Sequence, residues 1–392
     1  MYPDDFYDRL KVDKSIAHNT GFNPYYSRLQ SGLTDPIVIE DKEFINLASN
    51  NYLGLAADER VKTGAIEAIE RYGVSLCGTP VATGYLELYC KLEEKLSEFL
   101  GLESTVILPS CYQANNGLFC AIAGKEDIIL VDHYAHSSLI QGIKAVGCKV
   151  RPFLHNNIEH LEQILARCTQ YRQIFVVTES VFSTEGSIAP LIEITALAAK
   201  YNAIPVVDDS HGIGVIGKTG RGILEESGIK NFDGIYTASL GKALANTGGV
   251  IGGKKGIIEY LKYYCAHLVY STALPPPVLG GIYKVLEIIE EEFGEINYRI
   301  LKYKDAISNA LIESGFELTN SKAPIISIIT GEAENTVLLA KKFFDCKVLT
   351  TPFIEPSVPV NEGRVRLIAG ANLKEESVDK AVKIIHGLGC KK

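Results

Sequence analysis

Seven short apolar runs, most of them separated by segments long enough for helices, constrain the fold of this chain more than any other feature. They fall at Thr105–Leu108, Ile128–Val131, Lys149–Phe153, Ile174–Thr178, Ile204–Val207, Gly234–Ala238 and Val250–Gly252. Strands without a polar face need cover on both sides, and alternation with helices supplies it. The expectation is a doubly wound α/β domain on a mostly parallel central sheet flanked by helices, with ligands at the carboxyl ends of the strands. Helical periodicity at 58–72 and 87–100 fits this, and Gly101 supplies a stop for the second helix.

Three segments follow from the same pattern. Residues 1–45 read as an N-terminal arm with a turn at Asn23-Pro24 and a β-like stretch Pro36–Glu40. Residues 46–275 read as the large domain, and 276–392 as a linking helix plus a smaller C-terminal α+β domain. The linking helix starts at Leu274-Pro-Pro-Pro277 and runs to about 314. Strand-like runs at Ile325–Thr330, Lys347–Thr351 and Arg364–Ala369, with a helix near 375–388, complete the small domain.

Composition narrows the partners. A net charge of −8 over 392 residues, with no dense basic run, disfavours nucleic acid and anionic membranes. No apolar stretch reaches the roughly 18 residues of a transmembrane segment. Met1-Tyr-Pro-Asp-Asp-Phe6 lacks the basic start of a signal peptide, and nine scattered cysteines without a C-x-x-C pair fit reduced thiols. A cytoplasmic enzyme is expected.

The chemistry centres on Lys242, in Ser239-Leu-Gly-Lys242 ahead of a glycine-rich turn. Upstream, Ile204-Pro-Val-Val207 ends in Asp208-Asp209-Ser210-His211. An amine that can form a Schiff base, with a carboxylate and an imidazole at a strand end, suits pyridoxal 5'-phosphate (PLP). Asp208 is the candidate for the pyridine nitrogen, against a helix-capping alternative; Asp209 reads as its solvated or structural neighbour. His211 and Ser183 are candidates for the phenolic oxygen, against a core histidine and a turn serine. His136 is a candidate for stacking on the ring. The strand-to-helix segment Pro109–Asn115, with the Ser239 hydroxyl, could cup the phosphate. His133 and His136 also permit a metal, but no third ligand is evident, so none is expected.

Together these stretches resemble the α-oxoamine synthases, PLP enzymes of fold type I. The resemblance runs from about Asn46 to the C-terminus. It rests on Ala48–Leu55, Cys111–Asn115, Asp132–His136, Thr178–Gly186, Val207–Gly212, Ser239–Lys242, Tyr270–Pro276 and Val358–Arg366. It implies that residues 46–275 bind PLP. Lys242 would be both Schiff-base residue and base, and Asp208 would pair with the pyridine nitrogen. His136 would stack on the ring, and Ser183 and His211 would bond the phenolic oxygen. The backbone of Cys111 and Tyr112, with Ser239, would hold the phosphate. Ser271 and Thr272 would reach the phosphate of a neighbouring subunit, implying a homodimer with shared sites. Asn50 and Arg366 would hold the amino acid, with Arg364 able to share the role.

The implied reaction is a decarboxylative Claisen-type condensation of glycine, alanine or serine with an acyl-CoA or carrier-bound thioester, giving an α-amino ketone. Thr83-Gly84-Tyr85 and Tyr270–Pro276 look most like 8-amino-7-oxononanoate synthase. Asp208–His211 and Leu240–Leu244, with the arginine-free loop before Val358, lean toward glycine C-acetyltransferase. Pro80, Tyr89 and Leu373 depart from residues common in the family and lie outside the PLP set. A serine palmitoyltransferase-like enzyme, an aminotransferase on the same fold and a silent partner subunit are the alternatives.

Overall fold

The computed structural model describes residue 6, residues 9–10, residue 12 and residues 14–389. Residues 1–5, on which most of the signal-peptide reading rests, and Cys390 lie outside the described residues. The strands are β1 (Ile37–Ile39), β2 (Lys42–Asn46), β3 (Ser104–Leu108), β4 (Ile128–Asp132), β5 (Lys149–Phe153), β6 (Ile174–Glu179), β7 (Ala203–Asp208), β8 (Ile235–Ser239), β9 (Gly249–Gly253), β10 (Ile326–Gly331), β11 (Val348–Leu349), β12 (Thr351–Phe353) and β13 (Gly363–Leu367).

Strands β3 to β9 form one sheet in the order β3-β9-β8-β7-β6-β4-β5. All its pairings are parallel except those of β9, which is antiparallel to both β3 and β8. Residues 240–248 are too few for a crossover helix, which takes about a dozen residues, so the chain must return beside β8 in reverse. That short return carries Lys242.

Both faces of the sheet are buried except at its edge strand β5, where Lys149, Arg151 and Pro152 are exposed, and alternate residues go to opposite sides. Val106, Leu108 and Val206 pack with the helices Cys111–Ile122 and Ser137–Val146. Ile107 and Val207 pack instead toward Leu92, Leu96, Leu279 and Leu286. Each such apolar side chain contributes about 1.5–3 kcal/mol on burial, which is why the runs inside the sheet tolerate no polar face.

The helix Pro276–Glu313 spans two cores. Its Leu279–Ile300 part packs in the large core, and Tyr303, Ile307 and Leu311 pack in the C-terminal one. It lies so close to the helix Glu59–Tyr72 that a Cβ on Gly280 would sit 2.3 Å from the Gly64 carbonyl oxygen. The small C-terminal sheet has the order β10-β13-β12, with all pairs antiparallel.

The expected single strand Lys347–Thr351 is in fact two. β11 pairs in parallel with β2, whereas β12 pairs with β13 in the other sheet. Pro352 has no N–H to donate, so β12 can only be an edge strand. Strand β2 and the helix Ala333–Asp345 have no counterpart in the sequence reading. Among the described residues no helix is long and apolar enough to cross a membrane, and the eight described cysteines are free.

Candidate active site

Asp208 ends β7 at 4% exposure, where an ionised carboxylate needs dedicated donors. Asn115 Nδ2 donates to its Oδ2 at 2.7 Å and the Ser210 amide to its Oδ1 at 3.0 Å. The following residues form turns, not a helix, so the capping alternative does not apply. Asn115 is itself fully enclosed: Nδ2 also donates to Ser138 Oγ (2.9 Å), and Oδ1 accepts from Thr237 Oγ1 (2.8 Å). Asp209, expected to be solvated or structural, is fully buried. Its Oδ2 accepts from Tyr236 OH and the Ile223 amide, and burial pushes its carboxyl up to about 7.

Lys242 is half-buried, and its Nζ makes no hydrogen bond or ion pair among the described residues. Burial lowers its pKa, while Asp208, Cys111 and Glu179 oppose the shift. An amine so placed gains reactivity because more of it is unprotonated.

The helix Cys111–Ile122 begins beside it. Ser110 Oγ accepts from the Gln113 amide at 3.1 Å, leaving the Cys111 and Tyr112 amides unpartnered among the described residues. The sheet comes very close to this start, because a Cβ on Gly249 would meet Cys111 N and Cα at 2.5 Å. Free amides on a helix dipole form an anion cradle. Ser239 Oγ accepts from the Gly241 amide at 3.2 Å. Ser271 Oγ accepts from Gln113 Nε2 at 3.0 Å, within the same chain, while Thr272 is exposed. The Cys111 thiol lies 3.3 Å from Ser210 Oγ, and burial and Asp208 raise its pKa.

Two histidines face the same crevice. His211 is 4% exposed, and its Nδ1 lies 2.8 Å from Tyr52 OH. Burial, then Lys242, Arg366 and His136, hold its pKa well below the usual range. His136 caps the helix Ser137–Val146, with Nδ1 accepting from the Ser138 amide at 3.2 Å. The residue is exposed, yet the protein packed against its ring lowers its pKa, with Asp208 opposing the shift. His133 is exposed, and no group of three metal-ligating side chains occurs among the described residues.

From the other side, β13 brings in two arginines. Arg366 is 5% exposed, donates from Nη1 to the Ser183 carbonyl (2.9 Å), and lies over Phe353; it has no acidic partner among the described residues. Its Nε is buried without a partner among the described residues, as is Asn50 Oδ1. Arg364 is instead paired with Glu185 and Glu362, both at 3.0 Å, which removes it from the shared role suggested by sequence. The Ser183 hydroxyl makes no hydrogen bond among the described residues. Sequence reasoning missed Tyr52, Asn115 and Glu179. The last is a buried carboxyl that accepts from the His136 amide at 2.6 Å and whose pKa is raised chiefly by burial, then by Asp208. Strand-end polarity in Thr178-Glu179 was the available signal for Glu179.

The loop holding Ser183 is fastened by charges. His155 bridges Asp132 (3.0 Å) and Glu185 (2.8 Å) and stacks on Tyr134. Burial alone would lower its pKa, but hydrogen bonds to the two carboxylates prevail and push it up to about 9. A histidine raised in this way stabilises the fold fully below its unfolded pKa of about 6.5, and the gain is lost as pH rises through about 9. The expected loss is about 3 kcal/mol, the Glu185 side being the same interaction counted once. Thermal unfolding should therefore fall by several degrees between pH 7 and 10, and His155→Gln should flatten that slope. An unchanged slope in the variant would remove the assignment.

Residues 42–385 match the family model for aminotransferase class I and II. The chain is 35% identical over 353 residues to an 8-amino-7-oxononanoate synthase of Thermoanaerobacter pseudethanolicus, covering 90% of this chain and 89% of the relative. An 8-amino-7-oxononanoate synthase of Geotalea daltonii is 34% identical over 362 residues, 91% of each chain. Among solved structures, a serine palmitoyltransferase from S. paucimobilis with PLP and myriocin bound superposes with a TM-score of 0.93 at 23% identity, over 99% of this chain and 98% of that one. An 8-amino-7-oxononanoate synthase from Francisella tularensis gives a TM-score of 0.75 at 26% identity, over 88% of this chain and 97% of that one.

Proposed function

The chain belongs to the α-oxoamine synthases of the aminotransferase class I and II family, and from that premise we propose that it is a PLP-dependent synthase joining L-alanine to a pimeloyl thioester. The product named by its relatives, 8-amino-7-oxononanoate, divides chemically into an alanine-derived amino end and a seven-carbon acyl part. Arg366 carries the reading. A buried guanidinium without an acidic partner among the described residues calls for a carboxylate from outside, and the unpartnered Arg366 Nε and Asn50 Oδ1 offer groups to an amino acid.

The residues fit PLP, given the free amides of Cys111 and Tyr112, the donor-braced Asp208 and the unpartnered Lys242 amine. When bound, PLP supplies an electron sink for the charge that develops at the amino acid α-carbon. Cys111, Tyr112 and Ser239 would hold its phosphate, Asp208 its pyridine nitrogen, Ser183 and His211 its phenolic oxygen, and His136 its ring face. Arg366 would fix the substrate carboxylate, and Asn50 Oδ1 would accept from the substrate's amino group, and together they set which α-carbon bond stands over Lys242. Lys242 Nζ takes the α-proton and later returns one, a task suited to an amine whose pKa burial has lowered. The acyl group passes from the thioester to the α-carbon, the thiol leaves, and CO2 is lost.

We assign residues 46–275 to the PLP-binding domain, 276–392 to the linking helix and small domain, and 1–45 to an arm. A cytoplasmic homodimer is part of the proposal. Tyr263, Tyr264 and Tyr270 are exposed around the turn leading to Ser271–Thr272, an apolar surface suited to a second copy, whose phosphate those two hydroxyls would reach. The free cysteines fit a reducing compartment.

The test is a panel of glycine, L-alanine and L-serine against acetyl-, pimeloyl- and palmitoyl-CoA, following thiol release. Alanine with the pimeloyl ester should be preferred. Release only with palmitoyl-CoA and serine would shift the assignment within the family. Absence of release, with amine transfer to an α-keto acid, would overturn it. Arg366→Ala should raise the amino acid KM roughly 10- to 100-fold. Arg364→Lys, on the same strand, should mainly lower the unfolding temperature. Equal KM effects from the two would discard the carboxylate role of Arg366.

A further inference from the structure

We propose that Tyr52 is a positioning residue that keeps the single ring proton of His211 on Nε2, so that His211 acts as a hydrogen-bond donor and not as a base. Tyr52 OH and His211 Nδ1 are 2.8 Å apart, and the two residues are 0% and 4% exposed. If Nδ1 carried the proton and donated it to the phenol, the Tyr52 hydroxyl hydrogen would need another acceptor. The hydroxyl has none among the described residues. An enclosed, unsatisfied donor disfavours that arrangement by roughly 5- to 150-fold in population.

A doubly protonated ring would need the same missing acceptor. It would also face the positive charges of Lys242 and Arg366, with His136 a further unfavourable neighbour. The phenol cannot resolve matters by ionising, because burial raises its pKa more than Arg366 lowers it. One arrangement remains: Tyr52 donates to Nδ1, and the proton sits on Nε2. His211 Nε2 has no partner among the described residues, so its N–H is presented to the reactants.

Resting on the function proposed above, this assigns proton abstraction to Lys242 alone and gives His211 the task of holding an oxygen, whether phenolic or carbonyl. It also gives a reason for the Asn51-Tyr52-Leu53 segment to pass beneath the carboxyl end of β7, more than 150 residues away in sequence.

Nitrogen-15 NMR of histidine-labelled, PLP-loaded protein reads the tautomer without turnover, and the Nε2–H form of His211 is expected in the wild type. Tyr52→Phe removes the donor to Nδ1 and should bring in a population of the Nδ1–H form. It should also lower kcat about 10- to 100-fold, with the amino acid KM changed less than threefold. His211→Gln, whose amide can place an N–H near the former Nε2, should lose less than about tenfold in kcat, whereas His211→Leu should lose far more. In the His211→Gln background, Tyr52→Phe should have little further effect. An Nδ1–H ring in the wild type, or an unaltered tautomer in Tyr52→Phe, would overturn the proposal, as would Gln and Leu variants that are equally inactive. An Nε2–H ring in a protein that releases thiol with no substrate pair would leave the tautomer in place and defeat only the proposed activity.

Discussion

Lys242→Ala is expected to abolish synthase turnover, by about 10^4-fold or more. The lysine is asked for two things at once, a covalent anchor and a base, and general-base contributions alone reach about 10^2–10^4. A 10^4-fold loss corresponds to about 5.5 kcal/mol of transition-state stabilisation. Among the described residues no neighbouring amine can substitute, because Arg366, the cation that shares the crevice, does not deprotonate. The visible absorption of the purified protein should change in the variant, and borohydride should fix the cofactor to the wild-type chain at Lys242 and nowhere in the variant. Mass spectrometry of the reduced peptides checks this. A variant that kept a tenth of its turnover would refute the assignment. Because Nζ has no hydrogen-bond partner among the described residues, the fold should lose little, and the unfolding temperature should stay within a few degrees of the wild type.

The second large effect is expected at Asp208. Asp208→Asn should lower kcat about 10^3-fold, about 4 kcal/mol, because the pyridine nitrogen loses the negative charge that keeps it protonated. It should also weaken PLP binding, since an amide placed opposite Asn115 Nδ2 must either turn its oxygen to that donor or set two N–H groups against each other. Asp208→Glu keeps the charge but displaces it, so it should recover part of kcat. Equilibrium dialysis of the cofactor and steady-state rates separate the two contributions. Equal rates for the wild type and Asp208→Asn would show that the carboxylate serves only the fold.

These two residues were legible because strand ends in a parallel sheet converge, and an apolar run followed by an acid marks such an end. All seven runs of the main sheet are strands within a residue at either end; for six of them the reason is burial that admits few polar residues, while β5 is an exposed edge. The small domain was less legible. Lys347–Thr351 has the composition of one strand, but its two halves belong to different sheets, a choice made by partners hundreds of residues away in β2 and nearby in β13.

The arginines show the limit most clearly. Arg364 and Arg366 occupy equivalent places on β13, and the pattern offers nothing to rank them. Glu185 and Glu362 neutralise the first, while the second meets a carbonyl and an aromatic ring, leaving its charge available. Asn115 and Tyr52 were invisible for a related reason. Their roles lie in single hydrogen bonds to residues 93 and 159 positions away, and neither residue type announces such a bond.

By itself, the sequence determined the layered α/β architecture and the chemical types gathered at the strand ends, because burial of apolar strands is a local, periodic constraint. Only the tertiary structure decided which of those groups are already paired and which remain free to act. Charge, tautomer and proton affinity depend on neighbours a few ångströms away, and those neighbours come from distant parts of the chain.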